Sequence, residues 1–305
     1  MFNAEEAGIV VKFEKKDTPQ KVNIKLFRQG PKDIRLNDTK ISQKELIGTL
    51  NTVIFCPEDL QLIKGTPSGR RRFLDMEISQ TSATYYHQLM QYNRLLQQRN
   101  AILKEYRGKQ NIPLEEWDLQ LADMASFIVK KRLESLKKIN LLIDLMNRKL
   151  TGGLENLTIG YEQPYMDNGS LEFTKKGFYE RIKAALPQDR HRMTTSVGPH
   201  RDDLRFFSDA MDLKKFGSQG QQRTAVLSLK LSELEFIKSE VGEYPVLLLD
   251  DVLSELDESR RANLLQFIHK RIQTFITTTD IHDFKDLKSV QFISCEGGKV
   301  QYGQP

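Results

Sequence analysis

The chain has 305 residues, 39% hydrophobic and 29% charged, enough to bury one sizeable core or two smaller ones. No run reaches the roughly 18 to 20 apolar residues of a membrane span and no apolar signal core opens the chain, which reads as cytoplasmic with no membrane partner; Cys56 and Cys295 lack metal-ligand spacing, which disfavours both a disulfide framework and a cysteine metal centre. The net charge of +5 is modest, and its basic residues cluster at Arg70-Arg71-Arg72, Lys130-Lys131-Arg132, Lys137-Lys138, Lys175-Lys176 and Arg190-His191-Arg192, a pattern that suits nucleic acid or solvated helix faces.

Gly8 to Glu14 and Val22 to Arg28 alternate apolar and polar residues, and Asp33 to Ile41 repeats the pattern around Asn37-Asp38. Together they predict an antiparallel meander. Thr52-Val53-Ile54-Phe55 is more uniformly apolar, which predicts a strand buried on both faces before the turn Cys56-Pro57-Glu58-Asp59. From about Arg70 to Leu150 the character is helical. Tyr85, Leu89, Tyr92, Leu96, Leu103 and Tyr106 keep the spacing of a coiled-coil seam, interrupted by Arg99. After a turn at Gly108 to Pro113, Trp117, Leu121, Met124 and Ile128 supply the answering seam, and Leu136, Ile139, Ile143, Met146 and Leu150 resume it after a basic break. Two antiparallel helices result, on the order of 30 Å long at about 1.5 Å per residue. The spacing fits a projecting arm and a helical subdomain packed on a core equally well.

Beyond Gly152-Gly153 the chain returns to strands at Leu157 to Tyr161 and near Leu171 to Phe173, then a basic helix at Gly177 to Leu186. Strand and helix then alternate: Leu204 to Phe207, Gln221 to Lys238, Val246 to Leu249, Glu258 to Arg271, Thr274 to Thr278. The fold class is therefore α/β, with the helical arm inserted between two halves of a sheet-containing head.

Chemistry concentrates near the end. In Gly217-Ser218-Gln219-Gly220-Gln221-Gln222-Arg223 a serine hydroxyl can donate to a phosphate oxygen, and Gly220 admits a close backbone approach at the start of a helix whose dipole favours an anion. An ordinary serine N-cap explains the same serine. The following strand Val246-Leu247-Leu248-Leu249 ends in Asp250-Asp251, where one acid suits magnesium and the other an attacking water. Ser254-Glu255-Leu256-Asp257 comes next, while no G-x-x-x-x-G-K-[ST] run occurs in residues 1–305.

These three runs resemble the signature, Walker B and D-loop of ATP-binding-cassette ATPases in the form of the RecF family. Phe55-Cys56-Pro57-Glu58-Asp59-Leu60 with Pro67 and Arg70-Arg71-Arg72-Phe73-Leu74-Asp75, and Gly198-Pro199-His200-Arg201-Asp202-Asp203-Leu204, are similar to further stretches of that family. The resemblance implies an ABC-type, SMC-like ATPase head divided at 1–75, 76–152 and 153–305, the first part being the remainder of the N-terminal half. It implies an ATP-dependent DNA-binding protein of replication, recombinational repair and the SOS response, cytoplasmic, a slow DNA-dependent ATPase, selective for single-stranded/duplex junctions, with RecR-like mediator partners. ATP would be sandwiched in a head-to-head homodimer. Ser218, Gln219, Gly220 and Gln221 would contact the partner's nucleotide, Asp250 would serve Mg2+, Asp251 would be the catalytic carboxylate, and Ser254 and Asp257 would form the D-loop. Arg70, Arg71, Arg72, Lys130, Lys131 and Arg132 are the candidate DNA contacts.

The sequence departs from the class pattern in three places. The Q-loop glutamine has no clear equivalent at Cys56-Pro57-Glu58, and Thr277-Thr278-Thr279-Asp280 stands where a switch histidine is expected, so Thr279 is either a γ-phosphate ligand or a structural strand-end residue. His200 reads as a buried, hydrogen-bonded structural histidine in preference to a catalytic one. A family member begins with strands, the phosphate loop and its helix; the expectation is a truncated sequence, with ATP and Mg2+ conditional on that segment. The alternative is a non-catalytic module that docks recombination mediators without ATP.

Overall fold

The computed structural model describes residues 4–107, 113–153, 155–165, 173–279, 284 and 290–303. Most of the expected turn at Gly108 to Pro113 and most of the expected strand near 171 lie outside the described residues.

The chain opens with the meander. Strands β1 (Glu6–Lys15), β2 (Thr18–Phe27), β3 (Asp33–Leu36) and β4 (Thr39–Ile41) pair antiparallel in chain order. Two-residue turns close the β1–β2 and β3–β4 hairpins, with Lys16 and Asp17 at φ 48° and 59° and Asn37 and Asp38 at φ 48° and 67°. Positive φ at both central residues matches the right-handed twist of a hairpin, which is why Asn and Asp sit there.

Strand β5 (Thr52–Phe55) leads through a 3-10 turn to α1 (Gln61–Lys64), α2 (Pro67–Thr81), α3 (Ala83–Glu105) and α4 (Glu115–Thr151). Of the two placements open to the helical pair, the structure takes the packed one: α4 lies against α3 and also against the later elements β6 (Leu157–Glu162), α5 (Lys175–Ala184) and α8 (Gln219–Val241). Its 37 residues run unbroken through the basic interruption of the seam at Lys130-Lys131-Arg132, where Arg132 points into the core between Ile128 and Leu136 while Lys130 stays exposed. The helix ends at Gly152, whose φ of 68° closes it in the left-handed conformation.

Between α5 and α8 come α6 (Leu186–Arg192), β7 (Asp203–Ser208), β8 (Met211–Asp212) and α7 (Leu213–Phe216), with β6, β7 and β8 forming an antiparallel sheet. Then follow β9 (Val246–Asp250), α9 (Glu258–Ile268), β10 (Thr274–Thr277) and the hairpin β11 (Phe292–Glu296) and β12 (Lys299–Gly303). Strand β9 pairs parallel with β10 on one side and β5 on the other.

Helix α8 is the axle of the core: Leu227, Leu229, Leu234 and Ile237 are solvent-free, while Ser228 donates to Asn147 Oδ1 of α4 at 3.1 Å. One expectation fails. Strand β5 is buried on one face only, with Val53 and Phe55 inside but Ile54 51% exposed. The parallel register sets Ile54, Leu248 and Phe275 side by side, and Phe275 is 53% exposed, so the sheet packs on α8 through one face and presents an apolar stripe on the other.

Candidate functional site

The parallel pairing of β9 and β10 brings Thr277 opposite Asp250. The Thr277 hydroxyl donates to Asp250 Oδ1 at 2.7 Å and accepts from the Asp251 N–H at 3.1 Å, fixing both acids at the strand's carboxyl end. Asp251 holds φ 53°, a conformation aspartate tolerates better than most residues but which still stores strain, and its carbonyl accepts from Ser254 Oγ at 2.8 Å. Both carboxylates are exposed. Sequence reasoning missed Thr277 and singled out Thr279, which is exposed and two residues beyond the strand. The signal was strand register, which puts the first threonine beside the acid. Asp257 caps α9, accepting from the Arg260 N–H at 2.9 Å and pairing with its guanidinium.

At the start of α8 the serine serves as N-cap: Ser218 Oγ accepts from the Gln221 N–H at 3.2 Å, and Gln221 Oε1 accepts from the Ser218 N–H at 3.0 Å. This capping box leaves the serine O–H free for another acceptor. Gln219 is exposed, while Gln221 also donates to Glu155 at 3.0 Å. A Cβ on Gly220 would find only Ser218 Oγ, 4.0 Å away, so the space over the helix start is open to a ligand. The turn after β5 comes close by: Phe55, Cys56, Pro57 and Leu60 line a small cavity with Arg223, Val226, Val252 and Leu256. Burial, with Asp59 beside it, pushes the Cys56 thiol up to about 11, so it is no nucleophile near neutrality.

The chemistry fits a nucleotide triphosphate with its metal. Among the described residues no cluster of three His, Cys, Asp or Glu could hold an ion unaided. Two carboxylates at a sheet's carboxyl end suit a magnesium ion completed by phosphate oxygens and water. Residues 250 and 277 lie on the same face of the sheet as the exposed Ile54–Leu248–Phe275 stripe.

The candidate nucleic-acid contacts divide sharply. Arg70 is 3% exposed, with Nε and Nη2 donating to the Asp203 carboxylate at 2.8 and 2.9 Å. Arg132 is 2% exposed and pairs with Asp75 and Asp202 while donating to the Pro199 carbonyl at 2.7 Å. Both are corrected from phosphate contacts to structural joints, because a guanidinium enclosed with its counter-ions has none of its charge to offer. Arg71 is half-buried on the Asp202 carbonyl at 2.7 Å and Lys131 pairs with Glu134 at 2.8 Å, whereas Arg72 and Lys130 are exposed. The two stretches Arg70 to Asp75 and Gly198 to Leu204 are thus one structure. His200 confirms its structural reading: Nδ1 meets Tyr92 Oη at 2.6 Å, Nε2 meets the Thr195 carbonyl at 3.0 Å, and burial lowers it to about 4, which leaves it neutral. Gly198, at φ 132°, could carry no Cβ, which would fall 2.3 Å from that tyrosine oxygen.

No family model matches the chain. It is 46% identical over 290 residues to the "DNA replication and repair protein RecF" of Alkaliphilus oremlandii, covering 94% of this chain and 79% of the relative. It is 45% identical over 296 residues to the protein of the same description from Clostridium botulinum strain Eklund 17B, covering 96% and 81%. Among solved structures, the recombination mediator protein RecF with ATP, of the RecFOR pathway, superposes with a TM-score of 0.90 at 34% identity over 99% of this chain and 81% of that one. An Smc head domain from Pyrococcus furiosus, at 14% identity and a TM-score of 0.52, shares the fold.

Proposed function

The chain belongs to the RecF family of DNA replication and repair proteins, and from that premise we propose that it is an ATP-dependent DNA-binding component of recombinational repair. One observation carries the reading: Asp250, Asp251 and the Thr277 hydroxyl form a hydrogen-bonded set at the carboxyl end of parallel strands, where open α/β sheets take ligands. When bound, magnesium-ATP supplies a phosphoanhydride whose cleavage alters the charge enclosed at the site. The residues' own work is positional. Asp250, oriented by Thr277, holds the ion, and Asp251 orients a water and accepts its proton at the carboxylate. Thr277 takes the position first given to Thr279.

Ser218, Gln219, Gly220 and Gln221 face the nucleotide of a second copy, with Ser254 and Asp257 at the junction, so two heads enclose two nucleotides. The reading extends to cytoplasmic action at single-stranded/duplex junctions, RecR-like mediator partners and support of the SOS response.

Asp251→Asn keeps the shape and removes the proton acceptor. The ATP-held dimer should outlive the wild-type dimer at least tenfold when free ATP is removed, followed by light scattering or energy transfer between labelled copies. Equal lifetimes would count against Asp251 as the catalytic acid. Dimerisation indifferent to ATP would instead favour a docking module that uses no nucleotide.

A further inference from the structure

With Arg70 and Arg132 withdrawn into the core, the basic surface has to be sought elsewhere. From Lys175 to Arg201 the sequence holds seven lysines and arginines against two acids, Glu180 and Asp189, so this stretch alone has the formal charge of +5 that the whole chain carries. Asp189 is enclosed with Arg99, and Glu180 lies 3.9 Å from Lys176.

Three of these arginines converge. A cleft of about 740 Å³ opens between α5 and α6, lined by Arg181, Arg192 and Arg201 together with Gln188, Ser196 and a single acid, Glu180. Arg181 donates to the Tyr165 carbonyl, and Arg201 donates to the Thr195 carbonyl at 3.1 and 2.7 Å and to Thr194 Oγ1 at 3.3 Å. Among the described residues Arg192 faces the Gln188 amide, whose oxygen, with the amide turned to accept, meets both terminal guanidinium nitrogens at 3.2 Å. All these partners are neutral. Among the described residues no carboxylate lies within ion-pairing distance of the three guanidiniums, in contrast to Arg70, Arg99 and Arg132. Arg181 Nε is moreover buried without a hydrogen-bond partner.

We infer that the cleft between α5 and α6 is a seat for the phosphate backbone of nucleic acid. The inference rests on the DNA-binding reading above and gives it a place on the molecule. Planar guanidiniums already held in position by neutral acceptors match phosphate oxygens in pairs at little further entropic cost. The charge does not stop at the cleft: Lys176 and Lys183, both exposed, stand four residues before and three after Glu180 on α5, so they flank it on the same helix surface. A regularly charged polyanion uses such a strip along its length, which favours a nucleic acid over an acidic peptide. Contacts of this kind position a backbone without reading bases.

The test uses the exposed pair Lys183→Gln/Arg192→Gln, whose thermal melting should match wild type. Binding of labelled single- and double-stranded 30-mers is followed by fluorescence anisotropy across a salt series. The slope of log K against log salt should flatten by about 0.7 to 0.9 per lost contact, roughly 1.5 for the pair, whereas Lys104→Gln/Lys149→Gln should leave it unchanged. If wild type binds DNA and the cleft variant binds with the same slope, the cleft proposal falls while DNA binding stands. If wild type binds neither oligonucleotide, both fall. Loss of polyglutamate binding with DNA binding intact would make the cleft a peptide seat and overturn the proposal. Photo-cross-linking of bromouracil DNA to the unmodified protein should mark peptides within residues 175–201, and cross-links confined to other regions would refute it without recourse to a variant.

Discussion

Arg99 interrupts an apolar helical seam in the sequence, and in the fold it is wholly enclosed, donating to Asp118 at 2.6 Å, Asp189 at 2.7 Å and Thr195 Oγ1 at 2.9 Å. Removing it by Arg99→Ala leaves two buried carboxylates without their cation, which should cost about 3 to 5 kcal/mol in urea unfolding. Two other buried groups give the stability a pH dependence of opposite signs. Desolvation raises the Glu77 carboxyl to about 7, with Lys230 opposing it, so folding favours its protonated form. Its contribution is complete below its unfolded value near 4.5 and is lost as pH rises toward 7. His200, lowered to about 4 by burial, contributes above its unfolded value near 6.5, and that contribution is lost as pH falls toward 4. The two offset each other between pH 4 and 7. Glu77→Gln should therefore make stability fall more steeply on acidification than in wild type, and His200→Asn should make it fall less steeply, as read from denaturation midpoints at half-unit pH steps. Unchanged profiles in both variants would remove these groups as the source.

Helix α8 starts at a capping box and ends in the solvent-free core, so its first turn is tied to its packing. Ser218→Ala should cost about 1 kcal/mol of stability, whereas Ser218→Gly should cost only a few tenths. If both variants also lose ATP-held dimers, the serine's role exceeds capping. Strands β9 and β10 make a sharper case. Thr277→Val preserves shape but frees the Asp250 carboxylate and orphans the Asp251 N–H, so ATP-dependent dimer formation should fall several-fold with little change in melting temperature. Elements were legible wherever local pattern decides them: the Asn37-Asp38 turn announced its hairpin, and the spacing of Leu121, Ile128 and Ile139 announced α4. The helix start at Ser218, the acids Asp250 and Asp251 at the end of an apolar strand, and the cap at Asp257 were legible as local patterns. What stayed hidden depends on neighbours distant in sequence. No local rule says that Arg70 and Arg132 meet Asp203, Asp75 and Asp202, because a basic triplet looks the same with or without counter-ions across the fold. For the same reason Ile54 read as doubly buried: a strand's apolar run shows what it prefers, and its partner elements determine what it receives.

Across the whole molecule, ion-paired joints bind the early helices to the later sheet. Arg70 and Arg132 tie α2 and α4 to the Gly198–Asp203 turn, and Lys230 of α8 reaches Asp59 after β5 at 3.2 Å. The open stripe on the parallel sheet is the counterpart of that order, since parallel sheets are ordinarily covered on both faces. The isolated chain should accordingly bind a hydrophobic dye such as ANS, and Phe275→Ser should lower the fluorescence with less than about 1 kcal/mol lost, because the side chain is half exposed. A core-facing Leu247→Ser should instead unfold the protein and raise the fluorescence. The same sheet also sets a timetable. Thr52 pairs with Val246, 194 positions later, so during synthesis β5 emerges long before the strand that completes it. At about 5 to 20 residues per second that interval is roughly 10 to 40 s. The α2–α4 helices can form within it from local contacts, but Thr52-Val53-Ile54-Phe55 has no β9 to pair with. The nascent chain therefore carries an unpaired apolar segment through most of its translation, a natural holding site for a ribosome-associated chaperone.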